Sequence, residues 1–561
     1  MKNNILVRLI IVVIFLIATI IIINSAPQYE LTYKYKDGDL RVVFDNAELT
    51  RDIRKMPESA VFLNGEVLLS QNTVDILFDK NLFYEEKYDT LITTSEHHRA
   101  DIKVDSKIIE IDGVENGIKV PAIRERYDYS KDDRYLTTEK EPKNIIYIPI
   151  KALENVYDID VEFKDKLIIT SRNANIYVAK VPSGQVLNLK YLEDEKSKTI
   201  KQVPENDSVT VFNYDNSKAY NIARTSDGEL GYALTSTLEE FNINQIATKK
   251  EEVKNTRKIK MAWDYINPDY SSIGDKSQRS RIASLDIVAP TLLTLQNTNG
   301  EVVYRINAVK EYTKWAQSAG YEIWVTFKND GKTIDETSQF LNDMEHRKTA
   351  ISELLDFVDS YKVNGINVDF ENMYKDDAEV FSQFIRELST ETKQKGIVLS
   401  VCVNIPDGAD TWSKCYQHKL LSEAADYLTV MTYDCRNNLS SYASYDWVED
   451  NIQKLVERDG VDSSKLVLGI AFDSSYWKTT NGKSVRSVYF MNSAKKYLNN
   501  ATWNDKAKQY YYENPSKQEL IWIEEKASIA EKLKLVEQYN LAGSACWCLG
   551  QETEDVWSVF N

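Results

Sequence analysis

The stretch Asn364-Gly365-Ile366-Asn367-Val368-Asp369-Phe370-Glu371 decides how this chain is read. In a strand, alternate side chains point to the same side. Ile366, Val368 and Phe370 therefore share one face, and Asn367, Asp369 and Glu371 share the other. The apolar face is a core face. A row of amide and carboxyl groups on the opposite face of a buried strand is another matter, because buried carboxylates are unfavourable unless paired or used. A strand that closes on two inward carboxyl groups reads as a place where a proton is moved.

The sequence around this stretch sets its frame. From Lys258 onward, short apolar runs alternate with amphipathic helical patterns, which predicts βα units and a parallel sheet. The runs are 259–263, 287–290, 323–327, 365–371, 398–403, 427–432, 466–470 and 544–547. The seventh is read as continuing through Ala471-Phe472-Asp473-Ser474. Helical periods lie between them, such as Ile351-Leu354-Leu355-Val358 and Ile529-Leu533-Leu535-Val536. Eight such runs in a segment of this length predict an α/β fold, a (β/α)8 barrel over 258–561. Barrels of this kind keep their chemistry at the C-terminal ends of the strands, where Glu371 falls.

The stretch resembles the signature of glycoside hydrolase family 18, the chitinase-like enzymes, written Asp-Gly-x-Asp-x-Asp-x-Glu. Asp369 and Glu371 match its last two acids, whereas Asn364 and Asn367 stand where the family usually has Asp. The change at Asn367 resembles the spore-cortex and cell-wall branch. Met431-Thr432-Tyr433-Asp434 is similar to the family's Met-x-Tyr-Asp motif, and the segment 543–552 to its eighth strand, whose Trp floors the sugar pocket. Three motifs in the right order cover residues 258–561.

The resemblance implies a retaining glycosidase acting on β-1,4 linkages at N-acetylglucosamine. Most glycosidases use two carboxylates, but this family uses the substrate's own acetamido group. Glu371 would protonate the glycosidic oxygen. Asp369 would orient the acetamido nitrogen and help keep Glu371 protonated, since neighbouring carboxylates resist ionising together. Tyr433 would hydrogen-bond the acetamido carbonyl. Asn367, Met431 and Asp434 would add substrate contacts, and Trp547 would stack beneath the sugar. No cofactor or metal is implied. Trp263 and Trp324 read as barrel packing. Only four histidines exist, none in a nucleophile motif, so Ser/His catalysis is disfavoured. A catalytically dead lectin or scaffold on the same fold, and a chitinase rather than a wall enzyme, are the alternatives.

Ahead of the barrel, the pattern predicts two small mainly β domains. Residues 29–171 show alternating strands with a faint repeat, 83–95 against 161–171, and between them, over 146–153, a strand running into a short helix. This resembles the stalk domain first described at the N-terminus of copper amine oxidases, with no copper implied. His97-His98 is a lone pair and is not read as a metal site. Residues 172–245 resemble a bacterial Src-homology-3-type barrel, and 246–257 reads as a charged, solvated linker.

Residues 1–28 combine Lys2 and Arg8 with an apolar run over 5–23 interrupted only by Arg8. We read it as a transmembrane anchor with its positive end inside, in preference to a cleaved signal peptide, because Asn24 and Pro27 make a poor cleavage site. Either reading places the rest of the chain outside the cell, with the membrane as a partner and an N-acetylglucosamine polysaccharide as substrate. A net charge of −17 gives no footprint for nucleic acid. The five cysteines show no pair of metal-binding spacings and no disulfide framework, and Cys402, Cys546 and Cys548 read as small core residues.

Overall fold

The structure, a computed structural model, describes residues 33–34, 42–48, 60–79, 82–127, 143–163, 167–244 and 257–560. The anchor read over 1–28 lies outside these residues, as does all but the last residue of the 246–257 linker. Among the described residues no helix is long and apolar enough to cross a membrane. The chain divides into two compact units, 1–251 and 252–561.

In the second unit, eight parallel strands close a barrel. They are Ile259–Asp264 (β1), Ile287–Pro290 (β2), Glu322–Lys328 (β3), Gly365–Asp369 (β4), Val398–Asn404 (β5), Tyr427–Met431 (β6), Leu466–Ala471 (β7) and Gly543–Trp547 (β8). Each pairs in parallel with the next, and β8 returns to β1. Strands covered on both faces read as continuous apolar runs, which is why the sequence locates all eight.

The two faces of β4 behave as the alternation requires. On the helix side, Phe370 packs with Phe327, Phe340, Phe381 and Phe384, with ring centroids 5.1 to 6.1 Å apart. Phe340 comes from the helix Ile334–Leu341, and Phe381 and Phe384 from Ala378–Lys395. The inner side carries Asn367 and Asp369. Gly365 opens the strand because Trp324 fills the barrel beside it: a Cβ at Gly365 would lie 2.7 Å from the Trp324 ring. Trp263 and Trp324 are both buried in the inner cluster with Cys402, Met431 and Cys548.

One expectation is corrected. β7 ends at Ala471, and Asp473–Thr480 turns away as a strand of a separate five-stranded antiparallel sheet inserted between β7 and the last barrel helix, Lys526–Gln538. Its order is 483–490, 473–480, 519–523, 509–514, 502–504. The hairpin 473–480/483–490 turns at Asn481-Gly482, where both residues take positive φ, as a tight two-residue turn demands.

The first unit is β-rich throughout. Three sheets draw on residues 33–171 around two apolar clusters, and a seven-stranded antiparallel sheet draws on 176–244 around another. The strand Lys143–Pro149 runs into a turn of 3-10 helix, Ile150–Leu153, as the sequence pattern predicts. The two parts meet at Asn46, which accepts from the Ile222 amide and donates to Asn221, and at Val43 against Ile222 and Leu230. All five cysteines are free and buried.

Candidate active site

The inward residues of β4 are held differently along the strand. Asn367 is fully buried and satisfied: its amide donates to Thr326 Oγ1 at 3.3 Å and exchanges hydrogen bonds with the Cys402 thiol. Asp369, only 5% exposed, has its Oδ1 buried with no hydrogen-bond partner. Burial raises its pKa, and the Lys328 ammonium opposes that rise.

Glu371 lies two residues beyond the last residue of β4, and its backbone is clamped. Asn329, at the end of β3, accepts from the Glu371 amide at 3.0 Å and donates to the Glu371 carbonyl at 2.8 Å. Tyr416 donates to the carbonyl of Phe370 at 2.7 Å. Asn372 then takes a left-handed conformation and the chain turns off. These bonds fix where the Glu371 side chain starts. Burial, and then the charge of Asp369, push its carboxyl up to about 8, so at neutral pH it keeps its proton beside a second carboxyl group.

Tyr433 follows β6 by two residues and stacks on Tyr442 at 6.4 Å. Its hydroxyl pKa is raised well above the usual value, by burial first and then by Cys402, Asp369 and Glu371, which places it beside the acids. Met431 is buried in the inner cluster, with Tyr433 and Trp547 packed against it. Trp547 meets Trp263 edge to face at 6.1 Å. Asp434 takes a positive φ and is engaged by Arg436 at 2.8 Å and by Arg486 of the inserted sheet. Of the seven residues singled out, Asp369, Glu371, Tyr433, Asn367, Met431 and Trp547 come together around the barrel axis. Asp434 is tied instead to two arginines.

Two cavities open at this end of the barrel. One of about 240 Å³ is lined by residues after β1, β2 and β3, including Asn267, Tyr304 and Asp330. A larger one of about 630 Å³ is lined by Tyr265, Tyr270, Phe490 and Trp547 among others. They share Ile266, Asn267 and Tyr270. Of the seven candidate residues only Trp547 lines either cavity; Asp369, Glu371 and Tyr433 line neither. Among the described residues no group of three or more His, Cys, Asp or Glu could hold a metal ion.

Sequence reasoning missed Lys328, Asn329 and Asp330. Their signal was an ammonium, an amide and a carboxylate directly after the apolar run of β3, where a barrel's functional groups gather. It also missed Asp473, buried after β7 with Oδ1 unpartnered and raised to about 7 by burial, then by Glu524 and Asp434.

The chain is 25% identical over 280 residues to the uncharacterized glycosylase YvbX of Bacillus subtilis, which covers 47% of this chain and 80% of YvbX. It is 23% identical over 240 residues to the cortical fragment-lytic enzyme of the same organism, covering 39% of this chain but only 54% of that enzyme. Among solved structures, a chitinase from Chromobacterium violaceum aligns with a TM-score of 0.48 at 23% identity, covering 54% of this chain and 98% of that one. The spore cortex-lytic enzyme SleL of Bacillus megaterium aligns at 0.47 and 17%, covering 54% and 73%. Residues 270–552, just over half of the chain, match the family described as glycosyl hydrolases family 18, and the chain belongs to that family.

Proposed function

We propose that this protein cleaves β-1,4 linkages at N-acetylglucosamine in peptidoglycan, with retention of configuration and with the substrate's acetamido group as nucleophile. The observation that carries this reading is the pair at the end of β4, buried Asp369 with one oxygen unpartnered and half-buried Glu371 with its carboxyl raised to about 8. A general acid must hold its proton at working pH and sit within reach of the leaving oxygen. Glu371 meets the first condition by burial beside Asp369. It protonates the glycosidic oxygen. The acetamido carbonyl attacks the anomeric carbon, and Asp369 holds the acetamido nitrogen and balances its positive charge. Tyr433 donates to the acetamido carbonyl. Trp547 supports the sugar face, with Asn367 and Met431 fixing the floor. When water then attacks the anomeric carbon and opens the cyclic intermediate, Glu371 takes a proton from that water and regenerates its acid form, so acid and base are one residue.

The choice of peptidoglycan rests on the name of the cortical fragment-lytic relative and on the N-terminal reading, in which residues 1–28 anchor the chain and the β-rich parts 29–171 and 172–245 act as wall-facing modules. The test is product analysis after incubating the full chain, and a Glu371→Gln variant, with purified peptidoglycan and with chitin oligomers. New reducing ends at N-acetylglucosamine from peptidoglycan, absent in the variant, are expected. Release from chitin alone would make the protein a chitinase. Binding without release from either would make it a lectin.

A further inference from the structure

Lys328 is the last residue of β3, and in the parallel register it stands opposite Asp369 of β4. Its side chain is only 13% exposed, yet among the described residues its one short ionic contact, at 2.7 Å, is with Asp330, whose side chain is 61% exposed. A pair with so exposed a partner contributes little to stability, and it does not account for burying an ammonium group, which is unfavourable without compensating charge. The compensating charge lies inward. Where the family signature has an acid, this chain has Asn367, neutral and fully hydrogen-bonded to Thr326 and Cys402. The inner face of β4 therefore carries two carboxyl groups and faces one cation. With Glu371 protonated, Asp369 and Lys328 balance, and Asp330 holds the ammonium from its outer side, at the wall of the smaller cavity.

We propose that Lys328 is a positioning residue that sets the protonation of the Asp369–Glu371 pair, holding Asp369 as the anion, with Asp330 as its counterweight. The inference rests on the functional reading above, because it assigns a role to a neighbour of the proposed acid. Lys328 touches neither sugar nor leaving group and acts only through the two carboxyls. The charged and titratable groups around them are Lys328 and Asp330 from β3 and its loop, Cys402 from β5, Cys415 and Tyr416 before the helix His418–Ala424, and Tyr433 after β6. Lys328 is the one cation among them. The directions agree: burial raises both carboxyls, Asp330 adds to the rise, and Lys328 opposes it in both.

Two readouts on the full chain test this. The first is the pH profile of hydrolysis of a chromogenic N-acetylglucosamine disaccharide by wild type, Lys328→Met, Lys328→Arg and Asp330→Asn. Ionised Asp369 sets the acid limb and protonated Glu371 the alkaline limb. Losing the ammonium is expected to move both limbs up by about one pH unit, Lys328→Arg to restore them, and Asp330→Asn to move them down by a few tenths of a unit. A uniform loss of rate with unmoved limbs in Lys328→Met, or an upward move in Asp330→Asn, overturns the proposal. The second readout is infrared difference titration of the protonated carboxyl band that Glu371→Gln removes, which needs no turnover. An inactive wild type would refute the glycosidase reading, and the infrared midpoint would still decide this one: up in Lys328→Met and down in Asp330→Asn supports it, and no change in either overturns it. Should Lys328→Met not fold, Asp330→Asn, at an exposed position, decides by the same sign.

Discussion

Acids stand at the C-terminal ends of β1 and β4, and the two strands provide for them in opposite ways. Asp264, at the end of β1, is fully buried, but both of its oxygens are occupied: Lys276 at 2.6 Å, Arg279, and the Tyr312 hydroxyl at 3.0 Å. It pins the loop after β1 to the barrel and has no capacity left for a ligand. Asp369, at the end of β4, is almost as buried and Glu371 beyond it is half-buried, yet Asp369 keeps an unpartnered oxygen and both carboxyls are raised. Burial alone does not mark a reactive site. Burial with a missing partner does, because the molecule carries an unfavourable arrangement that only a ligand or a proton relieves.

The contrast can be broken by exchanging outcomes. Glu371→Gln should lower kcat by about 10³-fold, within the range for loss of a general acid, while leaving Tm no lower than wild type. Activity within tenfold of wild type would place the proton elsewhere. Asp264→Asn should do the reverse. Removing one partner of a buried ionic cluster costs about 3 kcal/mol, on the order of 5–10 °C in Tm for a domain of this size, with activity per folded molecule largely kept. Asn329→Ala should fall between, lowering kcat about 10- to 100-fold with little change in KM, since it frees the backbone that aims Glu371.

A further effect is in the pH dependence of stability. The Glu371 carboxyl titrates near 8 in the folded chain against an ordinary value of 4.5. The folded state thus keeps a proton that the unfolded state has released, and stability falls as pH rises from about 4.5 through 8. Glu371→Gln escapes this loss, so its Tm should exceed that of wild type by a margin that grows from pH 5 to pH 8. A margin independent of pH would mean that Glu371 is not raised.

Much of the barrel was legible because each strand is an unbroken apolar run and because β4 alternates so sharply. Asp369, Glu371, Tyr433 and Trp547 could be singled out as candidates because each lies at or just beyond a strand end within a short pattern. The inserted sheet was not found. Its strand 473–480 begins with three buried residues, so the run of β7 seemed to continue into Asp473, although Asn481-Gly482 was a readable hairpin signal. The Asn329 clamp and the Lys328–Asp369 juxtaposition could not have been read from the chain, because both depend on the register between β3 and β4, which sequence spacing does not fix.

The central claim is that the acetamido group of the sugar, and no second enzyme carboxylate, attacks the anomeric carbon. Its most direct test is a matched pair of chromogenic disaccharides, one carrying the 2-acetamido group and one a 2-hydroxyl, assayed with the full chain. The account predicts hydrolysis of the first, abolished by Glu371→Gln, and none of the second. Comparable hydrolysis of the 2-hydroxyl compound would contradict it and point to an enzyme carboxylate as nucleophile.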